Sequence, residues 1–392
     1  MPMSAPPASE RVHIGFFGRT NAGKSSIINA VTNQNLSIVS EIKGTTTDPV
    51  TKTMEILPMG PVVVIDTPGI DDDTALGRKR VEKSLEVLER CDIAVIVTDA
   101  AEKFSDAEKA LIKKIKALKI PYIVCINKID AAEGAAAEGD ISVSAKTGEN
   151  INALKELIAK KINKDSNKKI IGDRLRAGSF VVLVIPIDSA APKNRIILPQ
   201  QMVLREVLDA NAAAICVQPS ELQGVFDKVT PDIVITDSQA FAEVSKIVPE
   251  NIDLTSFSVL MMRYKGELEA AYAGAAALDK LSDGDKILIC EGCTHHRQCE
   301  DIGSVKMPSW IKKYSGKNIE FDFTSGGDFQ KSLSGYKLIV HCGGCMLNEK
   351  EIRRRMRLAE KEGVPITNYG IAIAKMNGIL ERAASAANKS FI

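Results

Sequence analysis

The feature that most constrains this chain is an eight-residue segment near its start, Gly18-Arg-Thr-Asn-Ala-Gly-Lys-Ser25, with the spacing G-x-x-x-x-G-K-S. An apolar stretch at 11–17 precedes it and predicts a strand, and a helix is predicted to begin near Ser25. The glycines allow backbone N–H groups to surround a phosphate, Lys24 can reach the β and γ oxygens, and the Ser25 hydroxyl can bind Mg²⁺. The residues predicted to contact a nucleotide here are Asn21, Ala22, Gly23, Lys24, Ser25 and Ser26.

A second phosphate-binding motif follows an apolar strand predicted at 61–65. Asp66-Thr-Pro-Gly69 places a carboxylate where it can hold Mg²⁺ through water, and the Gly69 N–H where it can bind a γ-phosphate. Upstream, residues 44–48 read Gly-Thr-Thr-Thr-Asp. Two interpretations stay open for this polar segment: a loop that folds over the nucleotide with one threonine on the metal, or an ordinary surface loop.

A base-recognition motif, Asn127-Lys128-Ile129-Asp130, follows another predicted strand at 120–126. The Asp130 carboxylate can accept hydrogen bonds from N1–H and the exocyclic amine of guanine, which adenine does not offer. A buried acceptor left without a partner costs about 1–3 kcal/mol, so the motif predicts GTP rather than ATP. After a short predicted strand at 141–143, the segment that is expected to support the guanine ring is Ser144-Ala145-Lys146.

Composition argues against several classes of protein. The chain has 51 Lys and Arg against 50 Asp and Glu, with no concentrated basic stretch, so nothing predicts a nucleic-acid surface. No apolar run is long enough to span a bilayer, and residues 1–10 lack the charged and apolar regions of a signal peptide. We therefore expect a cytoplasmic protein with a flexible leader and with no membrane or nucleic-acid partner.

The order of apolar and helical stretches predicts an α/β fold: a P-loop GTPase domain followed by two further α/β domains with mainly parallel sheets. The predicted boundaries are a leader at 1–10, the GTPase domain at 11–165, a linker at 166–178, a second domain at 179–264 and a third at 265–392. The second domain shows no catalytic motif, so we expect it to be a scaffold or a subunit interface. Its Cys216 lies in an apolar strand and is predicted to be a core residue.

The third domain concentrates candidate metal ligands at two predicted strand ends. One apolar run ends in Cys290-Glu-Gly-Cys293-Thr-His295, and a second, at 336–340, ends in His341-Cys342-Gly-Gly-Cys345. An open parallel sheet can bring such ends together. Three interpretations stay open from the residues alone: a four-thiolate zinc site with Cys290, cysteines packed in a core, or an iron–sulfur cluster on Cys293, Cys342 and Cys345.

The nucleotide motifs resemble those of the GTPases that include the tRNA-modification and ribosome-assembly enzymes. Ile70 follows Asp-Thr-Pro-Gly, where Ras-like proteins place a water-orienting glutamine. Asn21 matches the P-loop asparagine of the potassium-activated members, although asparagine also suits a turn. The resemblance implies K⁺ bound by Asn21 and Mg²⁺ bound by Ser25 and Thr46. The residues it then implies for hydrolysis are Lys24, Thr46, Asp66 and Gly69.

Cys293-Thr-His295 followed by His341-Cys342-Gly-Gly-Cys345 resembles the Cys-x-His…His-Cys-x-x-Cys signature of the HydF family, the [FeFe]-hydrogenase maturation GTPases. The resemblance extends along the chain: GTPase domain first, dimerisation domain second, cluster domain last. It implies a [4Fe–4S] cluster on Cys293, Cys342 and Cys345, with His295 or His341 as the candidate fourth ligand. Cys290 and Cys299 fall outside the signature.

By this resemblance the chain is a homodimeric, GTP-hydrolysing scaffold. It would accept a diiron precursor made with two radical-SAM maturases and deliver it to apo-[FeFe]-hydrogenase. A second interpretation is an RNA-modification or ribosome-assembly GTPase with a structural zinc domain. That function needs a basic groove or stacking aromatics, which the balanced charge, one tryptophan and six tyrosines do not favour.

Overall fold

The structure is a computed structural model. It describes residues 7–32, 50–57, 59–71, 75–132, 138–162, 168–187, 196–292, 301–326, 329 and 332–388, with only the backbone described at 8 and 75–80. The polar loop 44–48 with Thr46 lies outside the described residues, as do Cys293, His295 and Cys299. The chain divides into two compact units, 1–165 and 166–392.

The first unit is built on one sheet. Its strands are β1 (Val12–Gly18), β2 (Val50–Ile56), β3 (Gly60–Asp66), β4 (Ile93–Asp99), β5 (Tyr122–Asn127) and β6 (Ile141–Ser142). Its helices are α1 (Lys24–Thr32), α2 (Ala75–Leu88), α3 (Asp106–Ala117) and α4 (Ile151–Lys161). The sheet order is β2-β3-β1-β4-β5-β6, and every pairing is parallel except that of β2 with β3.

The central strands of this sheet are almost entirely apolar because helices cover both faces. The first six residues of β4, Ile-Ala-Val-Ile-Val-Thr, are all buried. Parallel strands end at the same edge of a sheet, so β1, β3 and β5 bring the P-loop and the motifs that begin at Asp66 and Asn127 to one edge. The nucleotide site predicted from the sequence lies at this edge.

The second unit contains two four-stranded parallel sheets. Its strands are β7 (Phe180–Val184), β8 (Ala213–Val217), β9 (Ile233–Thr236), β10 (Asp253–Ser256), β11 (Lys286–Glu291), β12 (Glu320–Ser325), β13 (Leu338–His341) and β14 (Ile366–Asn368). The sheet orders are β10-β9-β7-β8 and β12-β11-β13-β14. Its helices are α5 (Leu198–Asp209), α6 (Leu222–Phe226), α7 (Phe241–Ile247), α8 (Phe257–Lys265), α9 (Leu268–Gly274), α10 (Met307–Ser315), α11 (Glu349–Lys361), α12 (Tyr369–Met376) and α13 (Leu380–Ala387).

These two sheets share hydrophobic cores. Leu183 of β7 and Ile339 of β13 belong to one cluster of buried residues, and Val184 and Val340 belong to another. The regions predicted as separate second and third domains are therefore packed together in one unit. The predicted fold class, α/β with mainly parallel sheets, is confirmed.

Two predicted flexible segments are partly folded. In the predicted linker 166–178, Ile170 and Ile171 are buried in the second unit, and the Glu206 carboxylate accepts the backbone N–H groups of both residues at 3.0 and 2.6 Å. Burial of these two isoleucines, together with the Glu206 carboxylate, holds residues 170–171 of the predicted linker against the second unit. At the other end of the chain, Ala8–Glu10 of the predicted leader form a 3₁₀ turn, in which Ser9 is buried.

The prediction that Cys216 is a core residue is wrong, because its side chain is exposed. The strand that carries it, β8, is the second strand of its sheet in chain order but lies at the sheet's edge, where only one neighbouring strand covers it. Among the described residues, no helix has the length and apolarity that crossing a membrane requires.

Candidate nucleotide and metal sites

Ser25, a predicted Mg²⁺ ligand at the start of α1, contacts Asp66 at the end of β3, which is predicted to hold Mg²⁺ through water. The other predicted ligand, Thr46, lies outside the described residues. The Ser25 hydroxyl donates to Asp66 Oδ2 at 2.6 Å, and the Lys24 ammonium donates to the Gly18 and Arg19 carbonyls at 3.1 and 2.7 Å. Burial raises the pKa of Asp66, and the hydrogen bond from Ser25 and the positive charge of Lys24 partly offset this rise. A hydroxyl and a carboxylate in contact, beside a buried cation, fit the hard oxygen ligands that Mg²⁺ requires.

Asn127 fixes the P-loop by side-chain hydrogen bonds. Its Nδ2 donates to the Ala22 carbonyl at 3.1 Å, and its Oδ1 accepts the Ala145 N–H at 3.1 Å. Gly23 has φ +91°, and a Cβ there would collide with Asn127 Nδ2, so this position requires glycine.

Asn21 has φ +63°, a conformation that asparagine tolerates. This geometry suits the turn interpretation of Asn21 and leaves its proposed contact with K⁺ untested.

The base-recognition residues converge at the ends of β5 and β6. Ser144 Oγ donates to Asp130 Oδ1 at 2.6 Å, which orients the carboxylate, and Lys146 Nζ lies 4.0 Å from Oδ2. Lys128 adopts φ +66° and donates to Asp99 Oδ2 at 2.7 Å. Two predicted contact residues, Ser25 and Ser26, lie exposed in the first turn of α1. The structure thus joins Ala22 of the P-loop to Asn127 and Ala145, and Asp130 to Ser144.

Asp130→Asn is expected to weaken GTP binding by a factor of tens to thousands, because an amide cannot accept both guanine N–H donors. The asparagine N–H₂ can instead donate to a carbonyl, so xanthosine triphosphate, which carries a carbonyl in place of the guanine amine, should bind the variant better than GTP does. Titration of both nucleotides into wild type and variant measures this. Asp106→Asn, at a fully exposed carboxylate on α3, is the control. Unchanged preference for GTP in the Asp130 variant would contradict the assignment.

The candidate metal site lies at the carboxyl ends of β11 and β13, which pair with Cys290 opposite His341. The Cys342 sulfur accepts hydrogen bonds from two backbone N–H groups, Gly292 at 3.0 Å and Gly344 at 3.4 Å. Such bonds stabilise a thiolate and tune a metal that it binds. Gly344 has φ +66°, which permits the turn that follows Cys342. The backbone N–H groups of Gly292 and Gly344 therefore point at the Cys342 sulfur, an arrangement that suits a metal-binding thiolate.

His341 is engaged on both ring nitrogens. Arg355 Nη1 donates to Nε2 at 2.9 Å, so the proton lies on Nδ1, which donates to the Cys342 carbonyl at 2.7 Å. Burial, together with the Arg355 charge, lowers the pKa of His341 to about 4, so the imidazole is neutral at pH 7. Ligation of iron by His341 would require one of these bonds to break. Ligation of the cluster by His341 stays a prediction, and this geometry does not favour it.

Two buried cations flank the loop that contains Cys342 and Cys345. Arg355 is 1% exposed and pairs with Glu351 at 2.7 Å, while its guanidinium also donates to the Gly326 carbonyl at 2.5 Å. Lys265, at the end of α8, donates to the Leu347 carbonyl at 2.9 Å. Positive charge beside the thiols suits an anionic cluster with three thiolates. The donor chemistry of this site therefore fits an iron–sulfur cluster.

Cys290 has a different environment. Its side chain is fully buried in the core of the second unit, and burial raises the pKa of the thiol. A thiol in that setting argues against the four-thiolate zinc interpretation, which needs Cys290 as a thiolate. Within the described residues, no group of three candidate ligands is complete, since Cys293 lies outside them.

Models of known families match the chain in three places. A model described as the hydrogen maturase F dimerization domain matches residues 170–266, one for the hydrogen maturase F tetramerization domain matches 269–386, and one for a 50S ribosome-binding GTPase matches 13–128. The two hydrogen maturase F models together cover more than half of the chain. The chain belongs to the HydF family. The region predicted from the sequence as the cluster domain is the one that the tetramerization model matches.

Relatives with curated names match part of this HydF-family chain. The tRNA modification GTPase MnmE of Legionella pneumophila (strain Paris) is 32% identical over 170 residues, 42% of this chain and 35% of that protein. GTPase Der of Wolinella succinogenes is 30% identical over 171 residues, 39% of this chain and 36% of that protein. The matched part thus spans about a third of these relatives. A crystal structure of Era with MgGDPNP and 16S ribosomal RNA nucleotides has a TM-score of 0.35 and 20% identity, with 53% of this chain and 92% of Era covered.

Two residues that hold the metal-site loop were not predicted from the sequence motifs: Lys265 and Arg355. One signal was available for Arg355. On α11, residues Glu351, Ile352, Arg355, Met356 and Ala359 recur at helical spacing on one buried face. A Glu–Arg pair four residues apart on an otherwise apolar helix face indicates a buried ion pair. For Lys265 we find no comparable signal, because its contact depends on packing between α8 and the loop after β13.

Proposed function

We propose that this HydF-family chain is a GTP-hydrolysing scaffold that binds a [4Fe–4S] cluster and delivers a diiron precursor to apo-[FeFe]-hydrogenase. The family match supports a role in hydrogenase maturation. The observation that carries the cluster site is the Cys342 sulfur, bonded by two backbone N–H groups at a strand end. Cys342, Cys345 and Cys293, the last outside the described residues, would supply three thiolates.

A bound cluster supplies one iron that three protein thiolates leave open to an exchangeable ligand. The surrounding residues of the chain would stabilise the charge of the cluster and hold the loop that binds it. Gly292 and Gly344 N–H groups stabilise the charge of the Cys342 thiolate, and Lys265 and Arg355 hold the loop and offset negative charge. With both nitrogens of His341 engaged, His295 or an exogenous group is the better candidate for the open position.

In the GTPase unit, the Ser25 hydroxyl would bind Mg²⁺ with Asp66 acting through water, and Thr46 is the proposed second protein ligand. Lys24 and the Gly69 N–H bind the terminal phosphates. We propose that hydrolysis shifts the docking or release of partner proteins, namely two radical-SAM maturases and the apo-hydrogenase. The cytoplasmic location predicted from the sequence stays a prediction.

Potassium activation follows from the proposed role of Asn21 as a K⁺ ligand. GTP turnover of the full chain is expected to be faster in potassium than in sodium buffer at equal ionic strength, and the difference should disappear in Asn21→Ala. Steady-state phosphate release at several chain concentrations measures this. Equal rates in the two buffers would contradict a K⁺ site at Asn21 and leave it a turn residue.

Homodimerisation is supported by the match to the dimerization model and by one feature of the fold. β8 lies at the edge of its sheet, and an edge strand offers backbone N–H and C=O groups for pairing with another chain. Its residues Ala213 and Cys216 are exposed, as is Leu208 on the preceding α5.

Transfer is the experiment that tests the proposal. Chain loaded with a diiron precursor should activate apo-[FeFe]-hydrogenase anaerobically, and a Cys342→Ala chain treated identically should not. A wild-type chain that takes up iron but never activates the hydrogenase would contradict delivery of the precursor, while the proposal that the chain binds a cluster would stand. An RNA-modification or ribosome-assembly GTPase with a structural zinc domain is the second candidate, supported by the similarity to the tRNA modification GTPase MnmE over 42% of this chain.

A further inference from the structure

Asp71, two residues after the Asp-Thr-Pro-Gly motif, makes a contact that the motif analysis does not account for. Its Oδ1 accepts hydrogen bonds from the backbone N–H of Thr20 at 2.7 Å and from the Thr20 hydroxyl at 2.9 Å. Two bonds from one residue fix the orientation of the carboxylate. They join the phosphate-binding loop, which contains Thr20, to the loop that follows β3.

This pair lies beside the groups that define the position of a γ-phosphate. A Cβ added to Gly69 would collide with the Thr20 hydroxyl and would lie 2.8 Å from Asp71 Oδ1. Burial lowers the pKa of Lys24. The negative charges of Asp66 and Asp71 oppose this effect, which shows that both carboxylates lie near the Lys24 ammonium. Gly69 N–H and Lys24 are the predicted γ-phosphate contacts, so the Asp71 carboxylate borders the same position.

Hydrolysis needs a group that orients water toward the γ-phosphorus, and the usual position for it is apolar here. Ile70 occupies that position; its side chain is 7% exposed and has no hydrogen-bonding atom. Its backbone N–H donates to the Gly18 carbonyl at 3.3 Å, which keeps the residue against the P-loop. Asp71 is the adjacent polar residue, and no hydrogen bond from the described residues reaches its Oδ2.

We propose that Asp71 is the water-positioning residue of GTP hydrolysis. Oδ1 is anchored to Thr20, and Oδ2 accepts a hydrogen bond from the attacking water. The water oxygen bonds to the γ-phosphorus, and the bond from that phosphorus to the β–γ bridging oxygen breaks. The bridging oxygen leaves with the electron pair as part of GDP, and the water's proton ends on the released phosphate.

The charge of Asp71 is compatible with this role. A carboxylate near the γ-phosphate is repelled by the negative charge of that phosphate. Lys24 and a bound Mg²⁺ would offset this repulsion. Protein kinases place an aspartate at the nucleophile in the same way.

The test compares single-turnover hydrolysis with nucleotide binding in the full chain. Asp71→Asn should lower the hydrolysis rate at least about 10-fold, while the affinity for a fluorescent GTP analogue changes less than about twofold. It should also lose the binding of aluminium fluoride to the GDP complex. Thr20→Val, which removes one of the two anchoring bonds, should slow hydrolysis to a smaller extent, and Thr20→Ser should restore it. Asp106→Asn is the control.

Three outcomes would overturn the proposal. A wild-type rate in Asp71→Asn would show that the carboxylate does not act on water. Tighter GTP binding with unchanged hydrolysis would show that Asp71 only repels the γ-phosphate. Equal losses of GTP affinity and rate would show a structural role in the loop. A wild-type chain that binds GTP without hydrolysing it would instead contradict the GTPase function itself, which separates the two failures.

Discussion

Cys342→Ala is expected to abolish iron retention by the second unit while leaving GTP hydrolysis within about twofold of wild type. The thiol accepts two backbone N–H bonds, from Gly292 and Gly344, and both remain directed at the same point once the sulfur is removed. Two remaining thiolates are too few to hold a cluster that three would anchor. Iron analysis and visible absorbance of anaerobically reconstituted protein measure the loss.

Cys216→Ala is the matched control for this change, because its sulfur is exposed on the edge strand β8, away from the strand ends that carry the site. It should retain wild-type iron. Equal iron in the two variants would show that Cys342 is not a ligand. Iron lost together with GTP hydrolysis in Cys342→Ala would indicate misfolding rather than a missing ligand, and circular dichroism distinguishes these cases.

Arg355→Met is expected to lower the free energy of unfolding of the second unit by about 3 kcal/mol, near the lower end of the range for breaking a buried ion pair. The guanidinium is 1% exposed and bonds Glu351, His341 and the Gly326 carbonyl. Methionine fills the volume but leaves three acceptors without this donor. Arg354 still bonds Glu351 at 2.8 Å, which keeps the loss from being larger.

Urea unfolding of the cluster-free chain, followed by the fluorescence of its single tryptophan, Trp310 on α10, reports on this unit. Arg353→Met on the same helix is the control, since the Arg353 ion pairs are partly exposed and are expected to contribute less than about 1 kcal/mol. Equal unfolding free energies for the two variants would contradict a structural role for the buried pair.

Strands β1, β3 and β5 were predictable from the sequence because each is an apolar run that ends at a short motif, and parallel strands end at one sheet edge. Asn127 contacts Ala145, and Asp130 contacts Ser144, because the motifs that contain them follow the neighbouring parallel strands β5 and β6. The contacts of Lys265 and Asp71, and those of Arg355 with His341 and Gly326, were not predictable in this way, since each depends on how separate segments pack.

Strand order explains the wrong prediction for Cys216. An apolar strand in the sequence can be central or at an edge, and the order β10-β9-β7-β8 places the second strand of this series outside. The ordered segment at 170–174 was missed for a related reason, because its burial depends on the Glu206 carboxylate, which lies on α5. In both cases a long-range contact decides burial.

The cluster assignment is tested most directly by the metal content of the full chain after anaerobic reconstitution with iron and sulfide. We expect about four iron and four sulfide per chain, no stoichiometric zinc, and an EPR signal on reduction that changes when an exogenous ligand such as imidazole is added. A colourless protein that binds one zinc per chain and takes up no iron would contradict it.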